Sequence, residues 1–383
     1  MITYCTKCVM PNTKPDLFFD SDGVCAACNA FSARDTVDWD ERRQQLEAVL
    51  DRYRSKTGKW DCVIPVSGGK DSTYQVLKAL EFNMNPLCVT ASTCDLSEIG
   101  KRNIENIKKL GVDHIQFSPN PKVRVRLNRL GLSEVGDIAW PEHVGIFTIP
   151  VRVAMNFGIK LIIWGENSQN EYGGPSDAAS RDYLDRSWLE EFGGMLGMRV
   201  ADLVDVYGFS LNEVEPYVYP DAEDLISSEI RGLFLGQYLP WDGISNYLIA
   251  QANGFISFDK SVEGSMVNYE NLDNHMHGIH DYFKFLKFGF SRATDIACLH
   301  LRRGRISRGE AIAIVKNRDG KFPHSYLDKS LTDILKPLGL EVEQFTEICD
   351  NFTTKSLFVH SKNGELLRDQ EGNLQKTNYD NVE

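Results

Sequence analysis

The chain lacks any uninterrupted apolar stretch of about 18 residues, so no membrane-spanning helix is expected. Its first residues, MITYCTKCVM, contain no basic segment followed by an apolar one. No secretory signal is therefore expected, and a cytoplasmic location is. Basic residues are in deficit. The 42 Lys and Arg against 54 Asp and Glu leave a formal charge of −12, which argues against a general nucleic-acid binder, although a local basic patch can survive within that balance. A disulfide framework is also unexpected: nine cysteines in a chain without a signal read as reduced thiols or metal ligands. What remains is ordinary globular composition, 42% hydrophobic and 25% charged. At 383 residues the chain exceeds what one core usually serves, so two or three structural units are expected.

The most informative segment is Ser67-Gly68-Gly69-Lys70-Asp71-Ser72. It follows an apolar, β-rich run (Cys62 to Val66) and precedes an amphipathic helical pattern from Ser72. A glycine pair at a strand-to-helix turn lets successive backbone N–H groups aim at one anion, and the helix N-terminus behind it adds a favourable dipole. The segment reads as a phosphate cradle, with a plain connecting turn as the competing reading. It is not a Walker loop, because the G-x-x-x-x-G-K-[ST] spacing is absent.

Cys5, Cys8, Cys25 and Cys28 form two C-x2-C pairs, the spacing of a zinc ribbon in which four thiolates close a tetrahedral site. Pro11, Pro15 and the turn Asp20 to Gly23 fill a loop too short to fold without a staple. Zn²⁺ in a structural role is the leading expectation; an iron–sulfur cluster and no metal stay open.

Between these landmarks the pattern alternates. A connecting helix is expected within Arg34–Lys59, then strands at Cys62–Val66, Pro86–Ala91, Asp113–Phe117 and Lys160–Trp164. Helices are expected at Ser72–Phe82, Leu96–Leu110 and Val144–Phe157. Alternation of this kind implies an α/β fold, a doubly wound, mainly parallel sheet. Ligands of such folds sit beyond the carboxyl ends of the strands, where the Ser67–Ser72 loop, Thr90 to Thr93 and Gly165-Glu166-Asn167 should meet. Glu166 is placed there to bind Mg²⁺ or orient a substrate, against the reading of a solvated loop. Asp71 either caps its helix or holds Mg²⁺. The stretch from Asn170 to Pro175, with Glu171, Tyr172 and Gly173, and the Glu191 to Gly194 stretch read as binding loops or lids, or else as disorder.

Further on, Tyr282, Phe283, Phe285, Phe288 and Phe290 look like core at helical spacing. Arg292 is a candidate phosphate or carboxylate ligand or else part of a structural ion pair. Arg302, Arg303, Arg305 and Arg308 read as a solvated helix face. His275 and His277 read as surface residues of a polar loop, and with His280 they hint only weakly at a metal.

The hexapeptide resembles the SGGxDS motif of the PP-loop ATP pyrophosphatases. More widely, the cysteine pairs, SGGKDS, Ser118-Pro119-Asn120-Pro121 and WPEHVGIFTIPVRVA (Trp140–Ala154) resemble the N-acetyl sugar amidotransferases of bacterial surface-polysaccharide and flagellar-sugar synthesis. LIIWGENSQNEYGG (Leu161–Gly174), GIHDYFKFLKFGFSRATD (Gly278–Asp295) and RRGRISRGEAI (Arg302–Ile312) extend the likeness to about residue 315. One departure is Thr90-Ala91-Ser92-Thr93-Cys94, which replaces a more aromatic, Asn-containing segment.

The resemblance implies a three-part chain: a zinc-ribbon-like node of four cysteines at 1–34, a PP-loop core at 35–175, and substrate loops with a helix-rich region at 176–383. It implies ATP and Mg²⁺ at Ser67, Gly68, Gly69, Lys70, Asp71, Ser72, Thr90 and Gly165. Catalytic roles fall on Lys70, Asp71 and Glu166, and contacts to a nucleotide-activated acetamido sugar on Asn167, Glu171, Tyr172, Gly173 and Arg292. The implied reaction converts an acetamido into an acetamidino group. Ammonia would come from a separate glutaminase, since position 2 is Ile2 and no cysteine sits on a glycine-flanked elbow. The alternative is a PP-loop tRNA-thiolating enzyme, which would need catalytic thiols near the ATP site, with Cys88 and Cys94 the only nearby candidates. A non-catalytic ATP-binding scaffold is the third class; intact Ser67, Asp71 and Ser72 argue against it.

Overall fold

A computed structural model of the chain describes residues 2–166 and 197–377. From the N-terminus, α1 (Ala26–Ala33) and α2 (Trp39–Tyr53) lead into β1 (Cys62–Pro65), α3 (Lys70–Glu81), β2 (Pro86–Ala91), α4 (Glu98–Lys109) and β3 (Asp113–Phe117). Next come α5 (Pro121–Val135), α6 (Trp140–Phe157) and β4 (Leu161–Trp164). After residue 196 follow α7 (Val200–Asp205), α8 (Leu211–Val214), α9 (Ala222–Ser228), β5 (Arg231–Phe234) and α10 (Gly243–Ala252). The C-terminal part holds α11 (His277–Phe288), α12 (Arg292–Arg302) and α13 (Arg308–Arg318), then a short hairpin, β6 (Ser325–Tyr326) with β7 (Lys329–Ser330), and finally α14 (Leu331–Leu335) and α15 (Val342–Phe352).

Five strands form one sheet in the order β3-β2-β1-β4-β5. All four pairings are parallel, with Val63 opposite both Leu87 and Ile162, and Ile162 opposite Gly232. Successive residues of a strand face opposite sides, and both sides here are buried. Cys62, Ile64, Cys88, Leu161, Ile163 and Leu233 pack with Leu46 and Leu50 of α2 and Val76 and Ala79 of α3. Val63, Leu87, Val89, Ile162, Trp164 and Phe234 pack with Ile149, Val151 and Ala154 of α6. The sheet is thus doubly wound, with near-continuous apolar strands as two covered faces require. Gly158 ends α6 in the left-handed conformation, at φ 65°, the C-cap its position announces.

Two elements of the sheet and its covering helices were not foreseen. Pro121 stands at the start of α5 behind Asn120, whose side chain accepts from the Lys122 N–H at 3.0 Å; a missing N–H costs nothing in a first helical turn. β5, four residues long, closes the β4 edge of the sheet. The helix-rich C-terminal region forms the largest core cluster, in which Tyr282, Phe283 and Phe285 meet Tyr326, Leu335, Phe345 and Phe358. No helix among the described residues is long and apolar enough to cross a membrane.

Candidate functional site

The parallel order reverses around β1, and the crevice beyond its carboxyl end is where such sheets take ligands. A cavity of about 370 Å³ opens there, walled by Ser67, Thr90 to Thr93, Ile146, Phe147, Trp164, Gly165, Glu166 and Phe234. It has the size and mixed lining of a small-molecule pocket. A second pocket of about 130 Å³ adjoins it and is lined by all six residues of Ser67–Ser72 together with Glu270, Asn271 and Asp273.

The cradle is built locally. Gly68 has φ 81°, and a β-carbon on it would lie 2.7 Å from the Ile104 nitrogen and 2.9 Å from the Asn103 carbonyl carbon. Only glycine lets the loop turn left-handed against the backbone of α4. Gly69 is the N-cap of α3 and supplies no side chain to it; its carbonyl accepts the hydroxyls of Ser72 and Thr73, each at 3.0 Å. The first amides of α3 stay without a side-chain cap, the arrangement that receives a phosphate. Gly165 is similarly confined, since a β-carbon there would collide with Gln75 Nε2.

Lys70 is only 4% exposed. Its ammonium lies 2.5 Å from Asp71 Oδ2 and 2.7 Å from Glu270 Oε1. Burial alone would depress the ammonium; the two carboxylates outweigh it and hold Lys70 well above its usual range. Asp71 does not cap α3. Its other oxygen accepts from Asn246 Nδ2 at 2.8 Å, on α10, which packs along α3. Lys70, Asp71, Glu166 and Glu270 border one further pocket with Asp242, Arg303 and Arg305. A Mg²⁺ ion bound with phosphate oxygens needs only one or two protein carboxylates; Asp71 and Glu166 fit that demand.

Thr90 lines the cavity, but its hydroxyl lies 2.7 Å from the Val66 carbonyl and 2.8 Å from His114 Nε2. Arg292 is engaged by the buried Asp281, Nη2 to Oδ1 at 3.2 Å and Nε to Oδ2 at 3.3 Å, the ion-pair member of its two expected roles. Asn167, Glu171, Tyr172 and Gly173 lie outside the described residues. Glu270, Asn246 and Tyr269 were missed. Their partners Lys70 and Asp71 lie far away in sequence, so no local pattern announces them. The arginine block corrects an expectation: it is not a solvated face. Arg303 and Arg305 grip Asp242 at 3.0 and 2.9 Å, and Arg308 donates to the carbonyls of Cys5 and Cys8. His275 and His277 are likewise half-buried rather than surface residues, paired with Asp95 and Asp273.

All four node cysteines are buried. Their sulfurs lie within 4.8 Å of one another, with Cys8 and Cys25 at 3.7 Å and Cys5 and Cys28 at 3.9 Å. Tetrahedral bonds of about 2.3 Å put sulfurs roughly 3.8 Å apart, so the donor set fits one tetrahedral ion such as Zn²⁺ and is too tight to enclose a multi-iron cluster. The Cys8 and Cys25 amides donate to the Cys5 sulfur at 3.4 and 3.2 Å, which favours its thiolate form.

Residues 263–369 match the family model described as LPS biosynthesis protein WbpG-like, C-terminal domain. A curated relative, an uncharacterized protein of Methanocaldococcus jannaschii, is 28% identical over 108 residues, which is 27% of this chain and 38% of that protein's own length. Among solved structures, an NMN synthetase from Francisella tularensis is 13% identical over 50% of this chain and 92% of that one, with a TM-score of 0.28. A predicted tRNA methyltransferase subunit from Methanocaldococcus jannaschii is 15% identical over 64% and 89%, at 0.26. At such scores neither likeness bears on fold or activity.

Proposed function

Taking as premise that residues 263–369 form a WbpG-like C-terminal domain, we propose that this protein is an ATP-dependent sugar-modifying enzyme of surface-polysaccharide synthesis. In the finer reading it is an N-acetyl sugar amidotransferase that converts an acetamido group of a nucleotide-activated sugar into an acetamidino group. The observation that carries this reading is the Lys70–Glu270 ion pair, at 2.7 Å. It ties the phosphate cradle to a residue of the WbpG-like segment, which supports reading the cradle and that segment as one site.

An amide oxygen is a poor leaving group. Attack of that oxygen on the α-phosphorus of ATP expels pyrophosphate and gives an O-adenylyl imidate; ammonia then adds to the imidate carbon and AMP departs with the oxygen. Charge develops on phosphate oxygens, so fixed donors are needed rather than a covalent nucleophile. The amides at Gly68 to Asp71 and the Ser67 hydroxyl would receive those oxygens. Lys70 follows once one of its carboxylates turns to Mg²⁺, which would be held by Asp71 and Glu166 and would neutralise the departing pyrophosphate. Trp164, Phe147 and Phe234 give the crevice an apolar wall. Ammonia is assigned to a partner glutaminase.

The tRNA-thiolation alternative needs a reactive thiol at the cleft. Burial pushes both Cys88 and Cys94 up to about 12, which disfavours thiolates there.

The test is nucleotide release from Mg-ATP and ammonium with a panel of diacetamido UDP- and CMP-sugars, and separately with bulk tRNA, read by mass spectrometry. The expected result is AMP formation dependent on one sugar nucleotide, whose product carries NH in place of one oxygen. ADP in place of AMP, or turnover with tRNA alone, would sink the reading.

A further inference from the structure

Asp137 sits in the turn between α5 and α6, is 2% exposed, and meets two imidazoles. His143, on the first turn of α6, brings Nδ1 to 2.8 Å from Asp137 Oδ2, and His280, on the first turn of α11, brings Nδ1 to 2.9 Å from Asp137 Oδ1. The two rings stand edge to face, with centroids 5.0 Å apart. One donor atom of each residue lies within 4.8 Å of the other two. Gly136 makes the turn possible. It ends α5 in the left-handed conformation at φ 62°, where a β-carbon would strike Phe352 and the Lys287 side chain at 2.8 to 2.9 Å. The Ala139 amide fixes the carboxylate by donating to Oδ1 at 2.9 Å.

We propose that Asp137, His143 and His280 form a second metal site, one that takes a divalent first-row transition ion. Two imidazoles and one carboxylate are the donors of facial N2O sites, which leave positions open for water or an oxygen ligand. Metal bonds of about 2.0–2.1 Å at right angles put neighbouring donor atoms roughly 2.9 Å apart, and the N–O separations here are 2.8 Å to Oδ2 and 2.9 Å to Oδ1, so each imidazole has its own carboxylate oxygen as neighbour. The same separations suit two N–H···O hydrogen bonds to a lone carboxylate, so the distances set the alternative and metal content decides it. Access is open, since both histidine side chains are 27% exposed while the carboxylate between them is buried. The ligands come from two separate stretches of chain, residues 137–143 before β4 and His280 in the WbpG-like segment, so an ion would clamp that domain to the sheet. His143 also shares a helix face with Phe147 and Pro150, at i+4 and i+7, and both of those line the crevice. His275 and His277 are excluded from this set, being committed to Asp95 and Asp273.

The inference is independent of the sugar chemistry, and its test needs no substrate. Full-length protein is equilibrated with Zn²⁺, Mn²⁺ or Fe²⁺ in separate samples, desalted, and assayed for bound metal. The expected result with at least one of these ions is one equivalent beyond what the cysteine node holds. His143→Gln and His280→Gln should each lose that equivalent while keeping the node's ion and the wild-type melting profile. Cobalt titration of the wild-type chain gives a second readout, because N/O-ligated Co²⁺ lacks the intense sulfur-to-metal bands of the node; it decides the matter even if a variant fails to fold. Wild-type protein that binds no ion beyond the node, or variants that keep the second equivalent, would overturn the proposal.

Discussion

Gly68 combines a φ of 81° with backbone of α4 closer than 3 Å to any β-carbon it could carry. A left-handed L-residue costs about 1–2 kcal/mol, and here the loop must also withdraw from α4. Gly68→Ala should therefore lower stability by roughly 2 kcal/mol and weaken ATP binding by at least about tenfold, equivalent to 1.4 kcal/mol. Calorimetric titration with a thermal melt checks both; unchanged ATP affinity would remove the cradle from the binding site. Glu270 makes a different prediction. Glu270→Gln leaves the buried Lys70 ammonium with Asp71 as its one charged partner among the described residues, and losing a charged hydrogen bond costs about 1.5–3 kcal/mol. Urea unfolding at neutral pH should show that loss, and a variant as stable as wild type would mean that Lys70 does not depend on the C-terminal segment. The two residues also differ in how far the sequence announces them. Gly68 was legible because a strand, two glycines and a helix start are local signals. Glu270 was not, because an ion pair between such distant positions leaves no trace in spacing. Thr90 does line the crevice, but which way its hydroxyl turns depends on His114 of the neighbouring strand, a matter of register.

At the scale of elements, periodicity identified the four strands β1 to β4 and the helices around them, because apolar runs and C-capping glycines are written into short windows. It passed over α5, whose prolines mimic a loop, and β5, whose four residues Arg231 to Phe234 are too short for a period to emerge. The start of α12 shows a device that no window contains. Its first amides are capped from outside by Asp319, which accepts from Ser291 N at 2.9 Å, Ala293 N at 3.0 Å and the Thr294 hydroxyl. Burial nonetheless pushes the Asp319 carboxyl up to about 6, the nearby Asp295 charge adding to that rise and the Thr294 and Ser291 donors opposing it without cancelling it. A folded-state value above the unfolded one means that the native state holds the proton more tightly. The contribution is therefore fully present below about pH 4 and is lost as pH rises through about 6. The span corresponds to on the order of 3 kcal/mol. Wild type compared with Asp319→Asn, by urea unfolding at steps from about pH 4 to 7, should show wild type losing ground on going up through that window. Parallel profiles would mean that Asp319 keeps its charge throughout.

For the molecule as a whole, the sequence set the cysteine node apart as a unit ending near residue 34, and its separateness along the chain does not carry over into space. Cys5, Cys8, Cys25 and Cys28 share a core with Phe290, Ala297, Cys298, Ala311 and Val315 of the C-terminal half. α12 is the shared wall: Cys298 faces the node, while Ile296, Leu299 and His300 border the pocket of Lys70 and Glu166. Arg308 adds a second tie through the Cys5 and Cys8 carbonyls. A small thiolate node has too little apolar surface to stay folded without its ion, so removing the ion should loosen α12 from one side and the pocket from the other. Chelation in the His143→Gln background confines the loss to the node's metal. Hydrogen exchange across Arg292–Arg302 should then rise together with exchange across residues 2–33. ATP affinity should fall in the same titration, and both should return when Zn²⁺ is restored. If residues 2–33 open while α12 stays protected and ATP binds as before, the node is a self-contained appendage. If all three move together, the metal that closes the N-terminus also holds the shape of a pocket that α12 walls from the C-terminal half of the chain.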